Sequence, residues 1–343
     1  MIEFYLLIIS AGFFLTLLTT LLIKKFSIFY NIVDDPSNER KIHKHPTPLL
    51  GGMAVFLSFF LILYFVQDKL IAGNLSANHW LGFFIGACFL MIGGFLDDKY
   101  NLKPIYQVIW PILASFCVII GGVEIEKITN PLGGFIFLGL LSPVLIFIWL
   151  IGMMYTTKLL DGLDGLVSGM AAIGGFVIFL FTMTTKYYQP DIGLAALIFS
   201  VCCLGFLVFN WHPAKIFLGE GGSLFMGYVL AVLAIISGGK IAITLLIMGV
   251  PIIDVAWTIS RRMLAGKNPF KFADKQHLHF RLVDLGISVR LTVLIYYLFS
   301  LIFGLCALFL QSKGKLMALG VLISIMLGVV VVFTLLDKNR RIT

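Results

Sequence analysis

Runs of about 20 apolar residues recur from one end of this chain to the other, and that recurrence leaves few folds open, because about 20 helical residues span the hydrocarbon of a bilayer. Eleven runs can be counted, at roughly 4–23, 49–66, 80–96, 105–122, 140–157, 166–184, 192–209, 223–237, 241–259, 291–311 and 316–336. A soluble protein with one large core does not need such repetition. Composition agrees: 60% of the 343 residues are hydrophobic and 12% charged, whereas a soluble domain is about half apolar and about a quarter charged. The expectation is an all-α polytopic membrane protein, a single integral domain over 1–343 with about eleven transmembrane helices. No soluble domain, low-complexity tract or strong internal repeat interrupts the series. Cys88, Cys117, Cys202, Cys203 and Cys306 all fall within apolar runs and are odd in number, so they read as small hydrophobes and not as a disulfide framework.

Met1-Ile2-Glu3 carries no basic leader, and Lys24-Lys25 follow the first apolar run. That order predicts a retained first span with its N-terminus outside, not a cleaved signal. Alternation then places 24–48, 97–104, 158–165, 210–222, 260–290 and the tail from 337 in the cytoplasm. Of the 25 Lys and Arg, 19 fall inside; outside are Lys69, Lys127, Lys186, Lys240, Lys313 and Lys315. The excess on one side supports this orientation over its inverse. The net charge of +8 is therefore assigned to cytoplasmic loops, and no nucleic acid is implied. On the outer side, Gly121–Gly134 alternates apolar and polar residues from Val123 to Ile128 and then shows turn chemistry, which predicts a short β-hairpin.

The same topology puts every acidic and histidine cluster on the inner side: Asp97-Asp98, Asp161/Asp164, Glu220 and His277/His279. They lie at span ends and in loops. A transporter places ionisable residues near the midplane in broken helices, and only Asp254 comes near that description.

Five stretches carry chemistry. Lys158–Gly169 (KLLDGLDGLVSG) sets Asp161 and Asp164 three apart, each before a glycine that admits a bulky polar ligand. On a helix the two acids share one face; the alternative is that one of them caps the next span. Asp97-Asp98 ends the third span. Adjacent carboxylates suit a divalent cation or proton transfer, or they form a solvated helix end beside Lys99 and Lys103. Gly219–Ser223 (GEGGS) opens the eighth span, where free amides suit a phosphate; Glu220 there would act through a metal, and many such loops are plain turns. Asp274–Arg281 (DKQHLHFR) lies in the largest, most basic inner loop. His277, His279 and Arg281 suit a diphosphate or a sugar, or the loop holds anionic headgroups; zinc would need further ligands, which are not set out locally. Arg40–Gly52 offers Lys41, His43 and Lys44 to a phosphate, or forms a positive flank.

Taken in order, DDPSNERKIHKHPTPLLGG, GFLDD, LLDGLDGL, FNWHPAKIFLGEGGS and HLHFRL resemble the polyprenyl-phosphate N-acetylhexosamine-1-phosphate transferase family, over most of the chain. The resemblance implies transfer of a sugar 1-phosphate from a UDP-sugar to undecaprenyl phosphate in the membrane lipid, with Mg2+ or Mn2+ and release of UMP. It implies a cytoplasmic-facing site in the inner (plasma) membrane and the start of a cell-envelope polysaccharide such as lipopolysaccharide or teichoic acid. The span count and the HLH form look closer to the GlcNAc-type branch than to the phospho-MurNAc-pentapeptide translocase. On this basis Asp97, Asp98, Asp161 and Asp164 are the expected catalytic acids, with Asp97 accepting or orienting the acceptor's proton. Glu220 and Asp161 are the expected metal ligands. Lys41, Lys44, Lys158, His277, His279 and Arg281 are expected to offset charge on the diphosphate, with His279 facing the sugar phosphate. A homodimer is left open.

Three positions depart from the family pattern. Lys158 stands where Asn is usual, Glu220 where Asp is usual, and Gln107 falls where a Lys is usual. The resemblance makes the first two magnesium ligands. Glutamate can ligate Mg2+ if its longer arm is accommodated; an ammonium cannot. One reading of the coincidence is that Lys158 pairs with Glu220 and puts a fixed cation where the metal's charge would be. Another is a catalytically weakened relative that binds lipid phosphate. The CDP-alcohol phosphatidyltransferases also use DG-containing stretches, but their pattern asks for two further Asp downstream, and Val167–Thr185 has none.

Overall fold

The computed structural model describes residues 2–36, 45–71, 76–130, 133–184, 188–237, 241–264, 266 and 277–340. The chain is a multi-pass, all-α membrane protein. Its helices in order are α1 (Ile2–Phe29), α2 (Gly51–Phe65), α3 (Gln67–Ile71), α4 (Ala77–Tyr100), α5 (Pro104–Gln107), α6 (Ile109–Ile120), α7 (Ser142–Leu160), α8 (Leu166–Thr182), α9 (Pro190–Asn210), α10 (Gly219–Ile236), α11 (Ile241–Ile247), α12 (Gly249–Leu264), α13 (Leu278–Asp284), α14 (Val289–Phe309) and α15 (Ser312–Arg340). Pro104, Pro143 and Pro190 stand in the first turns of α5, α7 and α9, where a missing N–H leaves no bond unmade.

Among the described residues seven helices are long and apolar enough to cross a membrane, and α11 with α12 makes an eighth candidate, bent by 80°. The other apolar runs form shorter helices: α2, α5 with α6, and α8. The run at 241–259, read as one span, is thus broken at Met248. Pro251 lies in the first turn of α12 and cannot donate to the carbonyl four residues back, which accounts for the break.

Two short antiparallel pairs complete the chain. β1 (Val33–Asp34) pairs with β2 (Thr47–Pro48). β3 (Lys127–Thr129) pairs with β4 (Phe135–Phe137), Lys127 opposite Phe137. The alternating residues 123–126 precede this pair rather than forming it: Val123 and Ile125 are buried, and the Ile125 N–H donates to Ser142 Oγ at 2.8 Å.

The centre of the bundle is α10, with 83% of its span buried against 17% for α15. It packs on α2, α4, α7 and α8. Lipid chains are as apolar as leucine, so close packing at small residues is what draws such helices together. A Cβ at Gly52 would collide with the backbone of Gly222, and one at Gly94 with the backbone of Gly221. These two contacts press the start of α10 against α2 and against the end of α4, and so bring Glu220 beside Asp97-Asp98.

Candidate active site

The C-terminal ends of α4 and α7 and the N-terminal ends of α2, α8 and α10 meet at one end of the bundle around a cleft of about 1060 Å³. Asp97, Asp98, Lys158, Asp161, Asp164 and Glu220 all line it. Residues more than 120 positions apart in sequence are thus gathered on one wall.

Backbone pairing sets the frame. Phe217 N donates to Pro48 O, Gly51 N to Phe217 O and Gly52 N to Leu218 O, each at 2.8 Å. The first amides of α2, which have no partner within the helix, are satisfied by the chain that leads into α10. Asn210 is the second fastening. Its Oδ1 accepts from Gly165 N at 3.1 Å and Ser168 Oγ at 2.8 Å, and its Nδ2 donates to Ile216 O at 3.0 Å. The turn before α8 is thereby tied to the loop before α10.

The acids are held individually. Asp98 accepts from Glu220 N at 3.0 Å, so a carboxylate from α4 occupies the amide end of α10. The sequence had offered that end to a phosphate; an internal carboxyl oxygen meets the same orphan amide. Asp97 Oδ1 accepts from Leu102 N at 2.8 Å and Gln107 Nε2 at 3.0 Å. Gln107 Oε1 in turn accepts from Lys158 Nζ at 3.1 Å, and Lys158 forms an ion pair with Glu220. Asp97, Gln107, Lys158, Glu220 and Asp98 therefore form a closed ring of contacts that joins α4, α5, α7 and α10.

Asp161 and Asp164 do not share a helix face. Asp161 is the C-cap of α7 and Asp164 lies in the following turn, ahead of Gly165, the N-cap of α8. The amide of Gly165 goes to Asn210, so the caps take neither carboxylate. Asp164 Oδ2 accepts from His212 Nδ1 at 2.7 Å and Ala214 N at 3.0 Å. Asp161 opens to the water of the cleft. Enclosure by the surrounding protein, followed by the nearby Glu220 and Asp164 carboxylates, pushes its carboxyl up to about 7.

The histidine loop is placed differently from the expectation. His277 is buried, and its Nδ1 lies 2.9 Å from Asp254 Oδ2. Asp254 also accepts from Leu278 N at 2.9 Å, which caps α13. The residue that looked most like a transport carboxylate is thus engaged in seating a helix. His279 is fully enclosed, and neither ring nitrogen has a hydrogen-bond partner among the described residues. Burial drives its imidazole down to about 3, so it carries no positive charge at neutral pH. It lies behind Gly162, where a Cβ would come within 2.6 Å of His279 Nε2. Arg281 packs its guanidinium 5.4 Å from the Phe333 ring centroid, in a small groove with Asp254 and Trp257 rather than on the acid cleft. Of this stretch it is Phe280 that reaches the cleft wall. Lys41 and Lys44 lie outside the described residues.

Asp34, Asp35, His45 and His212 also line the cleft, and none stood among the expected site residues. The signal was present: Asp34-Asp35 repeats the paired-acid pattern of Asp97-Asp98, and His212 sits in the same NWHP stretch that leads to Glu220.

The donor set was tested against the implied Mg2+. Glu220 is engaged by Lys158, Asp98 by α10, Asp97 by Leu102 and Gln107, and Asp164 by His212 and Ala214; of the two expected ligands that leaves Asp161 facing the cleft. No three His, Cys, Asp or Glu side chains among the described residues are gathered as a metal site. An ammonium stands in the acid cluster instead. These residues do not fit a preformed divalent centre.

Comparison with known proteins bears on the same residues. The family model for glycosyl transferase family 4 matches residues 80–238, which include Asp97, Asp98, Lys158, Asp161, Asp164 and Glu220. A Bacillus subtilis protein named as a probable undecaprenyl-phosphate N-acetylglucosaminyl 1-phosphate transferase is 34% identical over 315 residues, covering 89% of this chain and 85% of that protein. A decaprenyl-phosphate N-acetylglucosaminephosphotransferase of Mycobacterium tuberculosis is 30% identical over 290 residues, 76% of this chain and 71% of that one. A phospho-N-acetylmuramoyl-pentapeptide-transferase of Halalkalibacterium halodurans is 31% identical over 293 residues, 81% of this chain and 87% of its own. Identity of this extent, over most of the chain, shows that the chain belongs to glycosyl transferase family 4.

Proposed function

We propose that this transferase moves N-acetylglucosamine 1-phosphate from UDP-GlcNAc to undecaprenyl phosphate at the cytoplasmic face of the inner membrane, and so begins a cell-envelope polysaccharide such as teichoic acid or lipopolysaccharide. The observation that carries the reading is the single cleft in which Asp97, Asp98, Lys158, Asp161, Asp164 and Glu220 converge at the ends of apolar helices. A water-soluble nucleotide sugar and a lipid phosphate can meet only at such a boundary. The names of the two GlcNAc-type relatives point to the sugar phosphate and the polyprenyl phosphate acceptor; the UDP donor comes from the resemblance. With α2, α5–α6, α8 and the bent α11–α12 pair each taken as a crossing, the helices make eleven, N-terminus outside and C-terminus inside.

In the reaction a phosphate oxygen of the acceptor attacks the phosphorus that bears the sugar. A new P–O bond forms, the bond from that phosphorus to the bridging oxygen breaks, and the bridging oxygen leaves with UMP. Asp97, fixed by Leu102 N and Gln107, orients the acceptor phosphate or takes its proton. Asp161 faces the nucleotide sugar. Leu49, Leu163, Phe217 and Phe280 give the cleft apolar flanks for the first isoprene units. Mg2+ and a homodimer enter as variables to be tested.

The test is purified protein with radiolabelled UDP-GlcNAc and undecaprenyl phosphate, with and without Mg2+. Labelled lipid diphosphate and free UMP are the expected products; their absence overturns the reading. UDP-MurNAc-pentapeptide run in parallel covers the second reading, which the 31% identical Halalkalibacterium halodurans relative supports. Asp97→Asn should abolish turnover with little loss of folded protein, since an amide oxygen can still accept from Leu102 N.

A further inference from the structure

Two anions must enter a cleft whose described wall carries Asp34, Asp35, Asp97, Asp98, Asp161, Asp164 and Glu220. Those of the seven that are ionised repel a diphosphate unless a cation answers them. Among the described residues, Lys158 is the Lys or Arg on that wall.

Lys158 is held in place from several sides. It is ion-paired with Glu220, donates to Gln107 Oε1 at 3.1 Å and lies 5.7 Å from the Tyr155 ring centroid. Gln107 is itself oriented, its Nε2 donating to Asp97 Oδ1 and Leu102 O at 3.0 Å each. With the amide nitrogen turned that way, its oxygen must face the ammonium. An ammonium has three N–H donors. Gln107 takes one and Glu220 pairs with the charge, which leaves N–H capacity for a guest in the cleft. A divalent ion on Glu220 would compete with this ammonium for the same carboxylate. The three positions that depart from the family pattern, Gln107, Lys158 and Glu220, are the three members of this one contact.

We propose that Lys158 is a resident cation in the place where the resemblance puts a divalent metal. Braced by Glu220 and Gln107, it contacts the donor's diphosphate directly, and the protein binds its nucleotide without a divalent ion. The inference deepens the transferase reading above and rests on it for the identity of the donor.

The experiment uses the full-length protein in detergent, with UMP and Mn2+ as probes. Calorimetry in EDTA should show that wild type binds UMP. Lys158→Met should weaken that binding by about 10- to 100-fold, the scale of one lost charge-assisted contact, and Lys158→Arg by less. Electron paramagnetic resonance should find no tightly held Mn2+ in wild type, whether or not UMP is present, and a bound Mn2+ in Lys158→Asn. Thermal unfolding of each variant checks that it is folded, and the wild-type arms need no variant. Tight Mn2+ in wild type, with UMP binding lost in EDTA, overturns the proposal even if labelled lipid diphosphate is made. Conversely, UMP binding in EDTA that depends on Lys158 supports it even if UDP-GlcNAc yields no product, in which case the donor assignment is what fails.

Discussion

Replacing Gly219 by alanine tests whether Asp98 fixes the start of α10. Gly219 has φ of +75°, a region that L-residues enter at a penalty of about 1–2 kcal/mol. A Cβ there would collide with Asp98 Oδ2 and come within 3.1 Å of Leu50 N. The carboxyl group can yield, but only by releasing the Glu220 amide that it accepts at 3.0 Å, and a buried amide left unpaired costs about 1–3 kcal/mol. The two terms predict a loss of about 2–5 kcal/mol. Turnover should fall with it, because Glu220 then loses its register against Asp97-Asp98. Unfolding in mixed micelles, followed by tryptophan fluorescence, would measure wild type, Gly219→Ala, Asp98→Ala and the double variant. In the Asp98→Ala background the obstacle is gone, so Gly219→Ala should cost only the dihedral penalty of about 1–2 kcal/mol. The cycle should therefore show a coupling of about 1–3 kcal/mol. Equal costs in both backgrounds would refute the reasoning and mean that Asp98 does not hold the helix.

Asn210→Ala removes the shared acceptor of Gly165 N and Ser168 Oγ and the donor to Ile216 O; unfolding in the same micelles should show a loss of about 2–4 kcal/mol, chiefly from the Gly165 amide and Ile216 carbonyl left unpaired. His279 gives a pH dependence of stability. Its imidazole is held down to about 3 in the folded chain, while the unfolded chain takes a proton below about 6.5. Stability is full above about 6.5 and falls as pH drops toward about 3, by about 2 kcal/mol at pH 5; His279→Leu should flatten that acid slope in thermal melts. Asp161 has the opposite sign. Its carboxyl is pushed up to about 7, so the ionised form gains as pH rises through neutrality. Initial rates should climb between about pH 6 and 8, and Asp161→Asn should be slow across the range without that climb.

The acids were legible because a carboxylate in an apolar chain has few reasons to be there, and Asp97, Asp98, Asp161, Asp164 and Glu220 all reached one cleft. One partner was legible, Lys158 on Glu220; the others were not. Gln107 reads as an ordinary helix residue until α5 folds back to bring its amide between Asp97 and Lys158. Asn210 and His212 sit in a recognisable motif, yet nothing local says that one fastens the turn before α8 and the other holds Asp164. The spacing of the DGLDG stretch leaves a helix open beside a cap or loop; the left-handed Gly165 (φ +79°) ends the helical option. Apolar length alone also cannot show a bend, so the break at Met248 escaped the reading of 241–259.

The histidine pair shows how a motif can serve a site from behind it. A helix as short as α13 has little stability of its own, and its place must come from its anchors. His277 and Leu278 N both bind the Asp254 carboxylate of α12. The His277 ring stacks on that of His279 at 5.7 Å and 7° between planes. Both rings are buried, and His279 fits behind Gly162 only because that residue has no side chain. What the arrangement delivers to the cleft is Phe280, beside Leu163 and Asp164. Residues that looked like charge donors are therefore a clamp: they dock a wall against the DGLDG turn. Loss of His277 should loosen that wall and with it the position of Asp164, an effect that reaches the reacting groups through packing and not through charge.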